Sequence, residues 1–147
     1  MDGNIKPRVL LLEDEPIIAR VVTRFLTADG FDVDIAVNGL IAKEKINSGS
    51  KYELFIFDIK TPVISGIQLY EYLEQEHPEL TDSIIFATGD SLNETTKTFL
   101  EQTKCPWICK PYTPIQIKNT VRQHLEWKKS GANRTKLAVP TDKSNQV

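Results

Sequence analysis

FIFDIKTPVISG, residues 55–66, decides how the chain is read. With Glu53 and Leu54 before it, the run ELFIF (53–57) is continuous, apolar and rich in aromatic and β-branched residues. It is too short for a helix and reads as a strand buried on both faces, as strands of parallel sheets are. The run stops on a single acid, Asp58, followed by Lys60, Pro62 and Gly66. A carboxylate at the end of a buried strand needs a partner, so what gathers near Asp58 becomes the question.

Working outward, RVLLL (8–12), DVDIAV (32–37), SIIFA (83–87) and the shorter WIC (107–109) repeat the strand pattern. Helical patterns lie between them. Ile18, Val21, Val22, Phe25 and Leu26 fall on one apolar helix face, with Pro16 at a suitable first position and Gly30 as a stop. Leu69, Tyr70 and Leu73 mark a helix from about Gly66 to His77, closed by Pro78. Leu92, Thr96, Phe99 and Leu100 mark a fourth helix. Ile117, Val121, His124 and Leu125 mark a fifth, starting near Pro114. The weakest pattern covers 39–47, with Leu40, Ala42 and Ile46. Strand and helix alternate five times, which predicts an α/β fold: five parallel strands joined by right-handed crossovers, helices on both faces.

The length of 147 residues suits one domain with some tail to spare. Residues 128–147 carry a charge of +4 and the remainder −6, so a basic tail follows an acidic body. The expected organisation is a domain over 1–127 and a polar, basic, disordered tail over 128–147. A net charge of −2 gives no reason to expect nucleic-acid steering. No apolar run approaches a membrane span, and MDGNIKPR lacks the apolar core of a signal peptide. Cys105 and Cys109, spaced C-x₃-C with no histidine near, supply too few ligands for structural zinc and read as small packing residues. A reducing, cytoplasmic setting is expected. His77 and His124 read as surface or packing residues on helices.

In an open parallel sheet, ligands bind beyond the carboxyl ends of the strands. The first strand delivers Glu13, Asp14 and Glu15 there. The third delivers Asp58, the fourth Thr88, Gly89 and Asp90, and the fifth Lys110 and Pro111. Acids gathered at one edge repel unless a cation sits among them, and oxygen ligands alone favour a hard ion such as Mg²⁺ (or Mn²⁺). A lysine and a hydroxyl facing them suit phosphoryl oxygens, with an aspartate as nucleophile.

LLLEDEP, FDIKTPVISG, FATGD and ICKPY, in this order and spacing, resemble the receiver domain of two-component response regulators over roughly residues 8–127. The resemblance implies the CheY-like strand order 2-1-3-4-5. It implies Asp58 as phosphoacceptor, Asp14 as direct Mg²⁺ ligand, Glu13 as ligand through water and the Lys60 carbonyl as a further ligand. It also implies Thr88 as switch hydroxyl, Lys110 as the cation pairing with the phosphoryl group, a cis Lys110–Pro111 bond and Trp107 as switch aromatic. The implied donor is a phosphohistidine on a histidine kinase or histidine phosphotransfer protein. The implied output is an altered surface of fourth helix, fifth strand and fifth helix that docks a downstream protein, with neither nucleic acid nor membrane bound directly.

Three departures matter. Glu13 stands where many members have aspartate, Gly89 stands where alanine is usual, and Lys60 and Asp90 occupy positions that tune phosphate loss. Lys60 and Asp90 are expected to face each other over the site and shield the acyl phosphate from water. Two other readings compete. A degenerate receiver would bind partners without phosphorylation, but all five site positions are intact. A haloacid-dehalogenase-type phosphatase would use the same groups, but Lys60 replaces its second aspartate, the acid follows the third strand, and no cap domain fits. The chain is expected to be no enzyme beyond its own phosphorylation and dephosphorylation. It reads equally as a free-standing regulator or as the receiver of a hybrid histidine kinase.

Overall fold

The computed structural model describes residues 5–89 and 93–131. Five parallel strands, β1 (Arg8–Leu12), β2 (Asp32–Ala36), β3 (Leu54–Asp58), β4 (Ile84–Thr88) and β5 (Trp107–Cys109), form one sheet in the order β2-β1-β3-β4-β5. Helices α1 (Pro16–Ala28), α2 (Gly39–Asn47), α3 (Gly66–Glu76), α4 (Glu94–Thr103) and α5 (Pro114–Ser130) connect or follow them, with a 3₁₀ segment over Pro78–Ser83. The alternation in the sequence thus gives the expected architecture.

The core divides by strand periodicity, because successive side chains leave a strand on opposite faces. Leu10, Leu12, Phe55, Phe57, Ile84 and Phe86 pack with Ala42, Ile46, Leu69, Leu73 and Leu100 of α2, α3 and α4. Val9, Leu11, Leu54, Ile56, Ile85 and Ile108 pack with Ala19, Val22, Leu26, Ile117 and Val121 of α1 and α5. All five β3 residues are buried, which is why its sequence is a continuous apolar run instead of an alternating one. On the α2–α4 side an aromatic chain runs Tyr52, Phe55, Phe57, Phe86, with Phe99 edge-on to Phe86 at 5.2 Å.

Capping chemistry sets most helix starts. Asn38 accepts from the Ile41 N–H at 2.9 Å, and Ser65 with Gln68 and Thr113 with Gln116 form reciprocal capping boxes. Asn93 caps α4, which starts at Glu94; Leu92, assigned to that helix from sequence, lies outside the described residues. Two expected core residues are instead at the surface: Val21 and Leu40 are each over two-fifths exposed. The α1 apolar stripe is wider than the strip the sheet covers, and α2 buries Gly39, Ala42 and Ile46 instead. His77 is not helical but sits at the junction of α3 and the 3₁₀ segment, whereas His124 is a buried packing residue.

The boundary expected at residue 127 is also corrected, since α5 continues to Ser130. Trp127 stacks on His124 with ring centroids 5.2 Å apart. His124 Nε2 lies 2.6 Å from the Asp82 carbonyl, and Lys128 Nζ donates to the Glu53 carbonyl at 2.6 Å. Gly131, at φ +70°, ends the helix in the left-handed conformation glycine favours. The tail beyond, 132–147, lies outside the described residues.

Two glycines hold the loops of the carboxyl edge against each other. A Cβ on Gly39 would lie 1.9 Å from the Ile64 carbonyl oxygen, and one on Gly66 would lie 2.5 Å from the Asp58 carbonyl oxygen. Gly39→Ala should therefore force the loop between β3 and α3 away from α2. The expected loss is about 1–3 kcal/mol, the usual cost of overpacking, read by urea denaturation. Stability equal to the parent would mean the loop yields freely.

Candidate functional site

Sheet register brings the strand ends level. Leu12 pairs with Ala36 and Phe57, and Asp58 pairs with Ala87. Glu13 and Asp58 therefore follow at one height, while Thr88 pairs with Cys109 and places Lys110 one step beyond. Glu13, Asp58 and Thr88 are buried although polar, at 2%, 6% and 1% exposure. Each occupies the end of a fully covered strand, so burial is imposed by the sheet and not by local sequence.

The side chains meet. One carboxylate oxygen from each of Glu13, Asp14 and Asp58 lies within 4.8 Å of the others. Lys110 Nζ donates to Glu13 Oε1 at 3.0 Å and to Asp58 Oδ2 at 3.1 Å. The Glu15 N–H reaches Glu13 Oε2 at 3.2 Å, and the Lys60 N–H reaches Asp58 Oδ1 at 3.4 Å. The Lys110 N–H donates to the Thr88 carbonyl at 2.8 Å, extending the β4–β5 ladder to the site. The Lys110–Pro111 peptide is cis, as expected.

Burial pushes the Glu13 carboxyl above its ordinary range, against the hydrogen bond from Lys110, and the Asp58 charge adds to the rise. Burial likewise raises Asp58, opposed by the charge and hydrogen bond of Lys110. For Lys110, burial pulls down, but the bond to Glu13 and the two carboxylate charges prevail and raise it. One firmly charged lysine thus faces three carboxylates, and the pocket lacks positive charge. Its donors are oxygens without histidine or cysteine, which fits a hard divalent cation such as Mg²⁺.

The other predicted residues are placed as follows. Thr88 and Trp107 share the sheet face of α2–α4, since Trp107 pairs with Phe86, two residues before Thr88. Trp107 is half-buried against the aromatic core. Glu13, Asp58 and Lys110 instead continue the alternation of the α1/α5 face, in line with Leu11, Ile56 and Ile108. Gly89 is exposed, and a Cβ there would meet Lys110 Cβ at 4.0 Å, an ordinary contact. Lys60 has an exposed side chain. Asp90 lies outside the described residues, so the expected Lys60–Asp90 pair does too. Cys105 is buried and Cys109 partly so, both as thiols.

Two residues escaped the sequence reading. Gly66, read from sequence only as a helix start, backs directly onto the Asp58 main chain; a glycine opening the helix that follows the acid is the signal available. Tyr112 packs in the α1/α5 core with its hydroxyl buried; it stands within ICKPY, two positions after the lysine.

A doubly wound sheet in the order β2-β1-β3-β4-β5, with an acid pocket, a hydroxyl and a lysine at its carboxyl edge, is the arrangement of a phosphoacceptor-type signalling domain. A family model, the response regulator receiver domain, matches residues 9–122. The chain belongs to this family. It is 32% identical over 121 residues to the transcription factor SKN7 of Chaetomium thermophilum, covering 82% of this chain and 16% of that protein. It is 28% identical over 119 residues to the sensor kinase CckA of Brucella abortus, covering 80% and 12%. The chain thus spans a small part of these relatives. The fold also matches the CheY-like response regulator receiver domain protein of Methanospirillum hungatei JF-1, with a TM-score of 0.77 at 23% identity over 87% of this chain and all of that one. No helix among the described residues is long and apolar enough to cross a membrane.

The raised carboxyls carry a pH consequence. A folded-state value above the unfolded one makes folding less favourable as pH rises through that interval, because the native state holds the proton longer. Asp58→Asn removes this penalty. Its melting temperature should exceed the parent's by several degrees at pH 7, and the gain should shrink as pH falls toward about 4, where unfolded carboxyls protonate. A gain that grows on acidification would contradict the assignment.

Proposed function

We propose that the chain is an active phosphoacceptor: Asp58 takes a phosphoryl group from a phosphohistidine on a histidine kinase or histidine phosphotransfer protein. The observation that carries this reading is the Lys110 ammonium between two buried carboxylates at adjoining strand ends. An Asp58 oxygen attacks phosphorus, the N–P bond breaks, and its electron pair returns to the imidazole, which takes up a proton. Glu13, Asp14, Asp58 and the Lys60 carbonyl would hold Mg²⁺, which when bound supplies the second positive charge for the phosphoryl oxygens. Lys110 turns to those oxygens, and Thr88 donates its hydroxyl to them. Trp107, on the same sheet face as Thr88, follows, which couples the site to the surface of α4, β5 and α5.

Exposed apolar residues support a protein donor. Ile17, Val37, Val63 and Ile115 each expose half or more of their surface. All four stand just after strand ends, in the loops and first helical turns at the edge where Asp58 lies. An apolar rim around a charged pocket suits a partner that must exclude water while the phosphoryl group passes. The intact acid, hydroxyl and lysine positions argue against a phosphorylation-independent module. We expect no turnover of phosphate esters.

Incubation with Mg²⁺ and acetyl phosphate should label the parent and leave Asp58→Asn unlabelled; label on Asp58→Asn, or none on the parent, would refute the assignment. Removing Mg²⁺ with chelator should abolish labelling.

Gly89→Ala fits without a clash and narrows access, so its acyl phosphate should outlast the parent's by a few-fold. Lys60→Ala and Asp90→Ala should shorten that lifetime, measured by loss of label. Unchanged lifetimes in both would remove any shielding role.

A further inference from the structure

Charge is divided unevenly about the sheet. On one side, α1 carries Arg20 and Arg24 and no acid, and α5 carries four basic residues against Glu126. On the other side, α3 carries Glu71, Glu74 and Glu76 and no base. All three glutamates are exposed. None of them joins an ion pair among the described residues. The α3 side therefore presents an uncompensated negative field, which draws cations and repels anions.

Between α3 and α4 lies a groove of about 430 Å³. Ile67 and Glu71 line it from α3; Glu94, Thr95, Thr98, Phe99 and Gln102 line it from α4. Ile67 and Phe99 are half-buried, while Glu71, Glu94 and Thr98 are exposed. The Phe99 ring is braced by edge-on contacts with Tyr70 and Phe86, at centroid distances of 5.5 and 5.2 Å. It therefore gives the groove a firm apolar surface. The groove is lined by two acids and no basic residue.

The α4 residues fall at i, i+1, i+4, i+5 and i+8, which is one face of two helical turns, about 12 Å long. An apolar strip of that length suits one face of a short helix. The acids beside it select the occupant. A neutral or acidic helix would desolvate Glu71 and Glu94 without return, whereas lysines or arginines would pair with them. We propose that the α3–α4 groove docks a basic amphipathic helix of a partner protein. Its apolar face meets Ile67 and Phe99, and its cations meet Glu71 and Glu94. No lining residue belongs to the phosphoryl pocket, β5 or α5, so the inference does not rest on Asp58 being the phosphoacceptor.

The test titrates the isotope-labelled full chain with a synthetic helical peptide of about 14 residues, leucines on one face and lysines on the other. Amide resonances should shift saturably, most strongly over residues 67–71 and 94–102. Glu71→Gln with Glu94→Gln should weaken binding roughly fivefold, the worth of two rim ion pairs. Thr98→Arg, which adds bulk and like charge to the groove, should weaken it at least as much. These positions are exposed, so melting temperatures should stay near the parent's. Glu74→Gln with Glu76→Gln makes the same charge change outside the groove and should leave the affinity unaltered. A peptide with glutamates in place of the lysines should not bind.

Absence of saturable shifts in the parent would overturn the proposal, as would parental affinity in Thr98→Arg. Equal weakening by the Glu74→Gln and Glu76→Gln pair would reduce the effect to attraction by an acidic helix, with no groove involved. Without peptide, self-association that Thr98→Arg abolishes would assign the groove to a second copy. Shifts of amides 132–147 on Thr98→Arg would assign it to the chain's own basic end. Either result would overturn the separate partner.

Discussion

The bridge from Lys110 to Glu13 and Asp58 is the interaction on which the carboxyl edge depends. Two carboxylates buried side by side would each be pushed toward the neutral form, and no residue of β1 or β3 can prevent it. The cation comes from the far edge of the sheet, carried by three residues of β5 whose register places Lys110 beyond the Thr88 carbonyl. The ion pair therefore ties the end of β1 to the end of β5 across β3 and β4. Buried ion pairs contribute little net stability because desolvation offsets attraction. On the proposed reading, the pair holds a lysine ready to change partners.

Strand periodicity sorts the site into two sides. Acids and lysine continue the α1/α5 face, while Thr88 and Trp107 continue the face covered by α2, α3 and α4. On the proposed reading, the charged groups and the residues that would respond to them lie on opposite sides of the strand alternation and meet at the carboxyl edge, beside Thr88. The edge-on contact of Phe86 with Phe99 joins β4 to α4 on that second side.

Much of this was legible in the sequence, for a physical reason. Strands covered on both faces must be continuous apolar runs, so they stand out and their ends are sharp. Whatever follows such a run is at the carboxyl edge, which is how Glu13, Asp14, Asp58, Thr88 and Lys110 could be found together. What the sequence concealed depends on neighbours distant along the chain. Val21 and Leu40 are apolar, yet the strip of helix that meets the sheet is narrower than the stripe of apolar side chains. Gly39 resembles any helix-opening glycine until the Ile64 carbonyl is seen against it. The end of α5 looked like tail because Lys128 and Lys129 are basic, although Lys128 reaches the Glu53 carbonyl.

The anchoring of α5 has a mechanical consequence. Its last turns are held to the amino-terminal edge of the sheet through His124 and Lys128, at the Asp82 and Glu53 carbonyls. Its first turn, capped by Thr113, follows Lys110 by four residues. A rod pinned at one end responds to a push at the other by pivoting. Displacement would then be greatest beside the pocket, around Ile115, and would fade toward Trp127.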